Sequence, residues 1–373
     1  MRVRSTLVVL VALTGLVVAC GDGDGAAMPA ATDGTATVTG EAATAAVTET
    51  PSPTATAEPS PTVEEPTPAP NLVFEVETFD VPAGARPHDV APAEDGGVWY
   101  TAQSQGALGY LDPASGDATQ IPLGSGSAPH GVIVGPEGDA WVTDGGLNAI
   151  VRVDAETREV QVFPLPADRP GSNLNTAAFD GRGRIWFTGQ TGVFGVLDPA
   201  SGDMQVFDAP RGRGPYGITG TPSGDVWFSS LAGSYLARVD LDNLGEVEVI
   251  DPPTPNAGVR RVWSDSEGRL WISEWNAGQV GVYDPADGSW EEWPLPAEGA
   301  QAYSVYVDEL DAVWLTDFTS DSVVRFDPAT EEFEVFPLPG EPGNVRQMLG
   351  RDGEVWAPES AADRLVVIRY RPE

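Results

Sequence analysis

His88 and His130 are the only histidines in the 373-residue chain, and they occupy equivalent places in a repeat. Each follows a proline and lies eleven residues before a tryptophan, Trp99 or Trp141. Imidazole is the side chain whose ordinary pKa lets it give and take a proton near neutrality. Two of them in register point to acid–base chemistry. The same offset from later tryptophans gives Asn175, Tyr216, Arg260, Tyr303 and, with a one-residue gap, Arg346. Three residues after the tryptophans stand Ala102, Asp144, Gly189, Ser230, Glu274, Asp317 and Glu359.

The midpoint between these two positions falls in a turn that contains glycine in most repeats, so an antiparallel hairpin would make them cross-strand neighbours. Seven pairs would then ring one mouth of a channel. In His130–Asp144 the carboxylate would fix the imidazole tautomer and raise its basicity. Arg260–Glu274, Tyr303–Asp317 and Arg346–Glu359 would also set a carboxylate against a donor; for the two arginine pairs a structural salt bridge is the simpler expectation. His88 faces only Ala102, which leaves it a ligand-binding or spectator role.

The elements that must position these residues follow from the repeat itself. Trp99, Trp141, Trp186, Trp227, Trp271, Trp314 and Trp356 are spaced 41 to 45 residues apart. Most are followed by an apolar residue and then a hydroxyl, as in Trp141-Val142-Thr143 and Trp271-Ile272-Ser273. Short β-branched and aromatic runs alternate with Gly, Pro and Asp turns, four runs per repeat, which is the length and texture of a propeller blade. The density of proline and glycine argues against a helical repeat. The seventh repeat ends without its last strand, and Phe74 to Pro82 resembles the missing one. An all-β, seven-bladed β-propeller closed by its N-terminal strand is therefore expected over residues 71–373, and closure removes exposed strand edges.

Residues 1–20 read as an export signal: Arg2 and Arg4, an apolar run from Leu7 to Val18, then Val17-Val18-Ala19-Cys20. Cys20 is the sole cysteine, so no internal disulfide exists, and its setting resembles the lipobox of bacterial lipoproteins, where the thiol is acylated. Residues 21–70, rich in Thr, Ala and Pro with no aromatic or basic residue, are expected to form a disordered, extended spacer. The protein is thus expected on the outer face of a bacterial cell membrane, held by lipid alone and acting as a monomer. A formal charge of −36, with all twenty basic residues arginine, excludes nucleic acid as a partner.

The repeated Pro-His-Gly-Val or Pro-Tyr-Gly-Ile, the glycine turn, Trp-Phe-Thr/Ser and strands such as Val-Gly-Val-Tyr-Asp-Pro resemble the streptogramin B lyases, seven-bladed propellers of the virginiamycin B lyase type. The resemblance covers residues 72 to 373. It implies that His130 is a general base, that His88 is the histidine of the preceding blade, and that Asp144 and other acidic groups hold magnesium. The implied reaction opens a cyclic depsipeptide at its ester by elimination, a carbon–oxygen lyase activity. Two departures stand out: Ala128-Pro129-His130 replaces Glu-Pro-His, and Asp144 replaces a glutamate.

Three readings follow. The first is a metal-dependent lyase with His130 and His88 catalytic, Asp144, Glu274 and Asp317 around Mg2+ (or Ca2+), and Tyr216, Arg260 and Tyr303 binding substrate. The second is a propeller that captures a small molecule, peptide or protein at an acidic, aromatic-lined channel mouth without catalysis. The third, by fold analogy, is a lactone hydrolase with calcium on Glu274, Asp317 and Glu359.

Overall fold

A computed structural model describes residues 71–340 and 342–373. The expected signal, spacer and acylated Cys20 lie outside these residues. Among the described residues, seven four-stranded antiparallel sheets account for all the strands. Blade one comprises Pro87–Pro92, Val98–Ala102, Ala107–Asp112 and Asp117–Pro122, and the next five blades repeat this order. Blade seven has Leu349–Arg351, Glu354–Glu359 and Arg364–Pro372 from the end of the chain, with Leu72–Asp80 as its outer strand. That strand runs in unbroken register from Leu72 opposite Pro372 to Asp80 opposite Arg364. The ring therefore closes as the sequence implies. A parallel bridge between Asp89 and Gln347 joins the first and last blades on the inside.

The tryptophans hold blade to blade. Trp99 packs in a cluster with Val132, Ala140 and Val142 of the next blade. Trp141 does so with Ile185 and Phe187, and Trp186 with Val226 and Phe228. Trp356 packs against Val98 and Tyr100 and so completes the circle. Each aromatic ring is 5% exposed or less, so every interblade seam buries one large side chain. In blades three, five and six the indole N–H also donates to an aspartate six residues earlier: Asp180, Asp265 or Asp308. Those carboxylates accept turn N–H groups as well, such as Arg182 and Arg184 on Asp180.

The hydroxyl two residues after each of the first six tryptophans is the feature that sets the channel. In blade two, Thr143 Oγ1 accepts from Gly131 N at 2.9 Å and donates to Asn175 O of blade three at 2.5 Å. Blade one uses Thr101 between Asp89 N and His130 O, at 3.0 and 2.8 Å. Ser229, Ser273 and Thr316 repeat the bridge to Arg260 O, Tyr303 O and Arg346 O. Gly131 is required there, because a Cβ would lie 2.5 Å from Asn175 O and 2.8 Å from Thr143 Oγ1. Replacing Thr143 by the isosteric valine leaves a buried N–H and a buried carbonyl unsatisfied. Urea unfolding should show a loss of about 2–4 kcal/mol for Thr143→Val, with Thr143→Ser close to the parent.

Candidate functional site

The inner strands of the first six blades each carry a β-bulge at their channel end. Val90 pairs with Tyr100 in the register expected from the turn, but Pro87, not His88, pairs with Ala102. Likewise Pro129 faces Asp144, Val259 faces Glu274 and Ala302 faces Asp317. The bulge inserts one residue, so the cross-strand pairs anticipated from the alignment do not form. The ring residues turn into the channel, and their expected partners turn to the loops.

Asp144 shows the consequence. Its oxygens accept from Ser127 Oγ and from the N–H groups of Ala128, Gly146 and Leu147. It braces a loop and does not orient His130. Asp317 does the same for Gln301 N, Thr319 N and Ser320 Oγ. Glu359 takes Gly340 N and the Arg364 guanidinium, not Arg346. Glu274 accepts from Gln279 and stays clear of Arg260; its Oε1 has no hydrogen-bond partner. Burial, with Glu292 beside it, pushes the Glu274 carboxyl up to about 8.

The ring residues themselves converge. The His88 and His130 ring centroids are 3.9 Å apart. Across the channel, Tyr303 OH reaches His88 Nε2 at 3.4 Å and Tyr216 OH at 3.4 Å. The Tyr216 ring stands 6.2 Å from that of His130, near perpendicular. Arg260 donates to Tyr216 OH, and its guanidinium lies 3.7 Å from the Tyr303 centroid and 4.6 Å from that of Trp275. Arg346 Nη1 sits 3.0 Å from His88 Nε2 and 3.3 Å from Tyr303 OH. The alignment of tryptophans thus located the lining, and the structure brings His88, His130, Tyr216, Arg260 and Tyr303 together.

Sequence reasoning missed the residues next to that ring. Because of the bulge, the following position also faces inward, and in two blades it is charged: Asp89 and Arg261 are 2% and 1% exposed. Asp89 Oδ1 lies 2.7 Å from His88 Nδ1, and Arg261 Nη2 lies 3.6 Å from Asp89 Oδ2. Their counterparts Gly131, Thr176, Gly217, Ser304 and Gln347 are uncharged, and that contrast was the available signal.

These contacts fix the state of His88. A guanidinium only donates, so His88 Nε2 accepts from Arg346 and the ring proton resides on Nδ1, where it is donated to Asp89. The carboxylate-oriented imidazole is therefore His88, where Asp144 had been expected to orient His130. Burial first, then Arg346, Arg261 and Arg260, hold His88 well below the ordinary imidazole pKa. Burial and then His88 do the same for His130, with Asp89 opposing. Asn175 Oδ1 accepts from Thr176, which turns its amide nitrogen toward His130 Nε2 at 3.3 Å. His130 Nδ1 has no hydrogen-bond partner.

At the far end the channel narrows to a cavity of about 20 Å³ lined by Asp89, Arg261 and Gln347, too small for an organic ligand. On the other side of the ring, Trp275 and Phe318 stand 5.6 Å apart, each within 6 Å of the Tyr303 ring. A cleft of about 510 Å³ lies away from the histidines, lined by Arg182, Asp225, Arg238 and Asp242. Those charges pair with one another, Arg182 with Asp242 and Arg238 with Asp225, so the cleft offers no comparable chemistry.

Fold and lining define a closed seven-bladed propeller whose channel carries a histidine pair. Residues 71–286 match the virginiamycin B lyase family, and the chain belongs to that family. It is 30% identical over 230 residues to virginiamycin B lyase of Nocardia farcinica (strain IFM 10152), covering 62% of this chain and 76% of that protein. Among solved structures it resembles a streptogramin B lyase at 23% identity, with a TM-score of 0.73 over 80% of this chain and 98% of the other. A catalytically inactive variant of virginiamycin B lyase from Staphylococcus aureus, solved with quinupristin, superposes equally well: 19% identity, TM-score 0.73, 80% and 99% covered.

The family resemblance implies magnesium, and the described residues of the channel do not suit it. Magnesium prefers six oxygens near 2.0–2.1 Å. Among the described residues, the group of His, Asp and Glu side chains close enough to share an ion is His88, Asp89 and His130, which offers one carboxylate. Two guanidiniums stand at 3.0 and 3.6 Å from its atoms and would repel a dication.

Neutral histidines make the centre acid-sensitive. Their folded pKa values lie below the unfolded value, so the unfolded chain binds more protons and stability falls as pH drops below about 6.5. Chemical unfolding between pH 7.5 and 5.5 should show the parent losing more stability than a His88→Gln/His130→Gln variant. Equal losses would mean that the imidazoles are not held neutral.

Proposed function

We propose that this chain is an exported, lipid-anchored propeller that binds an ester-containing small molecule or peptide in its channel and opens the ester by elimination. The observation that carries the reading is the His88–Asp89 pair, set against His130 where the channel is lined by aromatic and hydrogen-bonding groups. Family membership and the likeness to virginiamycin B lyases support it.

His88 Nε2 is the base. With Asp89 behind Nδ1, it takes a proton from the carbon α to a carbonyl. The electron pair forms the Cα–Cβ double bond, the Cβ–O bond of the ester breaks, and the carboxylate leaves with the bonding pair. Asp89 stabilises the imidazolium formed, and His130 is the second imidazole against the same ligand. Trp275, Phe318, Tyr216 and Tyr303 supply aromatic faces for it. Anchoring at Cys20 would hold this monomeric domain outside the cell, where such compounds arrive.

A second reading, ligand capture without catalysis, is favoured by one contact: Arg346 already covers His88 Nε2, so a substrate must displace it. Product mass separates the readings. Incubated with quinupristin and a panel of cyclic depsipeptides, the protein should yield an opened product of unchanged mass. His88→Ala should lower the rate by about 100-fold or more. A gain of one water would indicate hydrolysis, and no opening across the panel would favour capture.

A further inference from the structure

The cavity of about 20 Å³ at the narrow end of the channel is lined by Asp89, Arg261 and Gln347, and these side chains are not fully hydrogen-bonded to one another. They are 2%, 1% and 5% exposed. Arg261 Nε and Nη2 have no hydrogen-bond partner, and neither has Gln347 Oε1. Gln347 Nε2 donates to Met348 O at 3.2 Å, which assigns the amide and leaves its oxygen as the unmatched end. Asp89 Oδ1 accepts from His88, and Oδ2 lies 3.6 Å from Arg261 Nη2, too far for a direct hydrogen bond.

A buried donor or acceptor left unmatched is costly, so a ligand that matches these groups is favoured. The site offers N–H donors from one guanidinium and acceptor oxygens from a carboxylate and an amide. A halide could only accept, and it would face Asp89 and the Gln347 oxygen. A metal or ammonium ion would suit the oxygens and be repelled by Arg261. Water both accepts and donates, and it bridges charged groups that stand just beyond hydrogen-bond reach. One water needs roughly 10–15 Å³ and two to four polar partners, and this cavity supplies both.

We propose that one water molecule is bound in this cavity, accepting from Arg261 and donating to Asp89 Oδ2 and Gln347 Oε1. Through it Arg261 becomes a positioning residue for the histidine pair. This holds whether or not an ester is opened, so it does not rest on the elimination reading.

Two arms leave the guanidinium. One runs through the water to Asp89, whose other oxygen accepts from His88 Nδ1 at 2.7 Å. The second runs from Arg261 Nη1 to Thr176 Oγ1, which donates to Asn175 Oδ1 at 2.7 Å. Asn175 then presents its amide nitrogen to His130 Nε2 at 3.3 Å. The parallel bridge between Asp89 and Gln347 sets the two acceptor residues side by side. Blades one, three, five and seven thus contribute Asp89, Thr176, Arg261 and Gln347 to one cluster. Hydroxyl bridges link each blade only to its neighbour, whereas this cluster ties the ring across its axis. One guanidinium sets the hydrogen-bond partners of two imidazoles whose centroids are 3.9 Å apart.

The test begins with high-resolution diffraction from the full chain, with and without a bromide soak. One peak should lie within about 3.2 Å of Arg261 Nη2, Asp89 Oδ2 and Gln347 Oε1, with no anomalous bromide signal. A dry cavity, or bromide in it, would overturn the water. Nitrogen-15 NMR at pH 7 separates the two arms. Gln347→Met, which removes one acceptor of the water, should move the His88 ring nitrogens more than those of His130. Thr176→Val should do the reverse. Arg261→Met should move both, and Arg261→Lys, which keeps charge and donors, should move them less. If the Met variant does not fold, the two single-arm variants still decide. Shifts that fail to separate between Gln347→Met and Thr176→Val would overturn the positioning role.

Discussion

The channel of this propeller depends on one small interaction repeated around the ring. A hydroxyl two residues after the blade tryptophan accepts the N–H freed by a β-bulge and donates to the carbonyl of the lining residue in the next blade. The tryptophan supplies interblade packing, worth the most energy, but packing is tolerant of small rotations. The hydroxyl bridge is directional. It ties each bulge to its neighbour and fixes where His88, His130, Tyr216, Arg260 and Tyr303 leave the backbone. In blade seven Pro358 stands at that place, and Ser360 Oγ, two residues on, bonds to Pro87 O instead. The circuit is closed by a different residue.

The tryptophan spacing made the fold readable, and the spare strand near Phe74 made its closure readable. Both rest on long-range repetition that one sequence displays. The lining ring was also legible, since equivalent positions in equivalent blades must face the same axis. What the sequence hid was the bulge. A one-residue shift in a strand sends the next side chain to the other face, so the pairing of Asp144 with His130 failed while the outer part of the same hairpin kept its expected register. The same shift brought Asp89 and Arg261 inside, and with them the electrostatics of the centre. An acidic mouth was expected from a chain with 56 acidic residues. Among the described residues, Arg260, Arg261 and Arg346 join Asp89 around the histidines, while carboxylates at strand ends such as Asp144 and Asp317 satisfy loop N–H groups.

That grouping matters for chemistry. A strongly acidic exterior keeps the protein soluble and contributes little field at a buried centre, where neighbouring groups dominate. Inside, burial above all keeps two imidazoles neutral, the form that can accept a proton, helped by Arg346, Arg261 and Arg260 at His88 and by His88 at His130. Asp89 accepts from His88 Nδ1 and gives that imidazole a defined tautomer. A neutral, oriented base beside cationic donors is a coherent arrangement for removing a weakly acidic proton. It differs from the arrangement that the family resemblance implied for His130 and Asp144, although both belong to the same ring of positions.

The tautomer of His88 tests this account most directly. Nitrogen-15 NMR of the histidine-labelled domain at pH 7 should show both imidazoles neutral. For His88, Nδ1 should be the protonated nitrogen and Nε2 the bare one, and Asp89→Asn should alter that pattern at His88 before His130. A His88 that is cationic, or that carries its proton on Nε2, would contradict the arrangement of Asp89, His88 and Arg346 on which the centre is built.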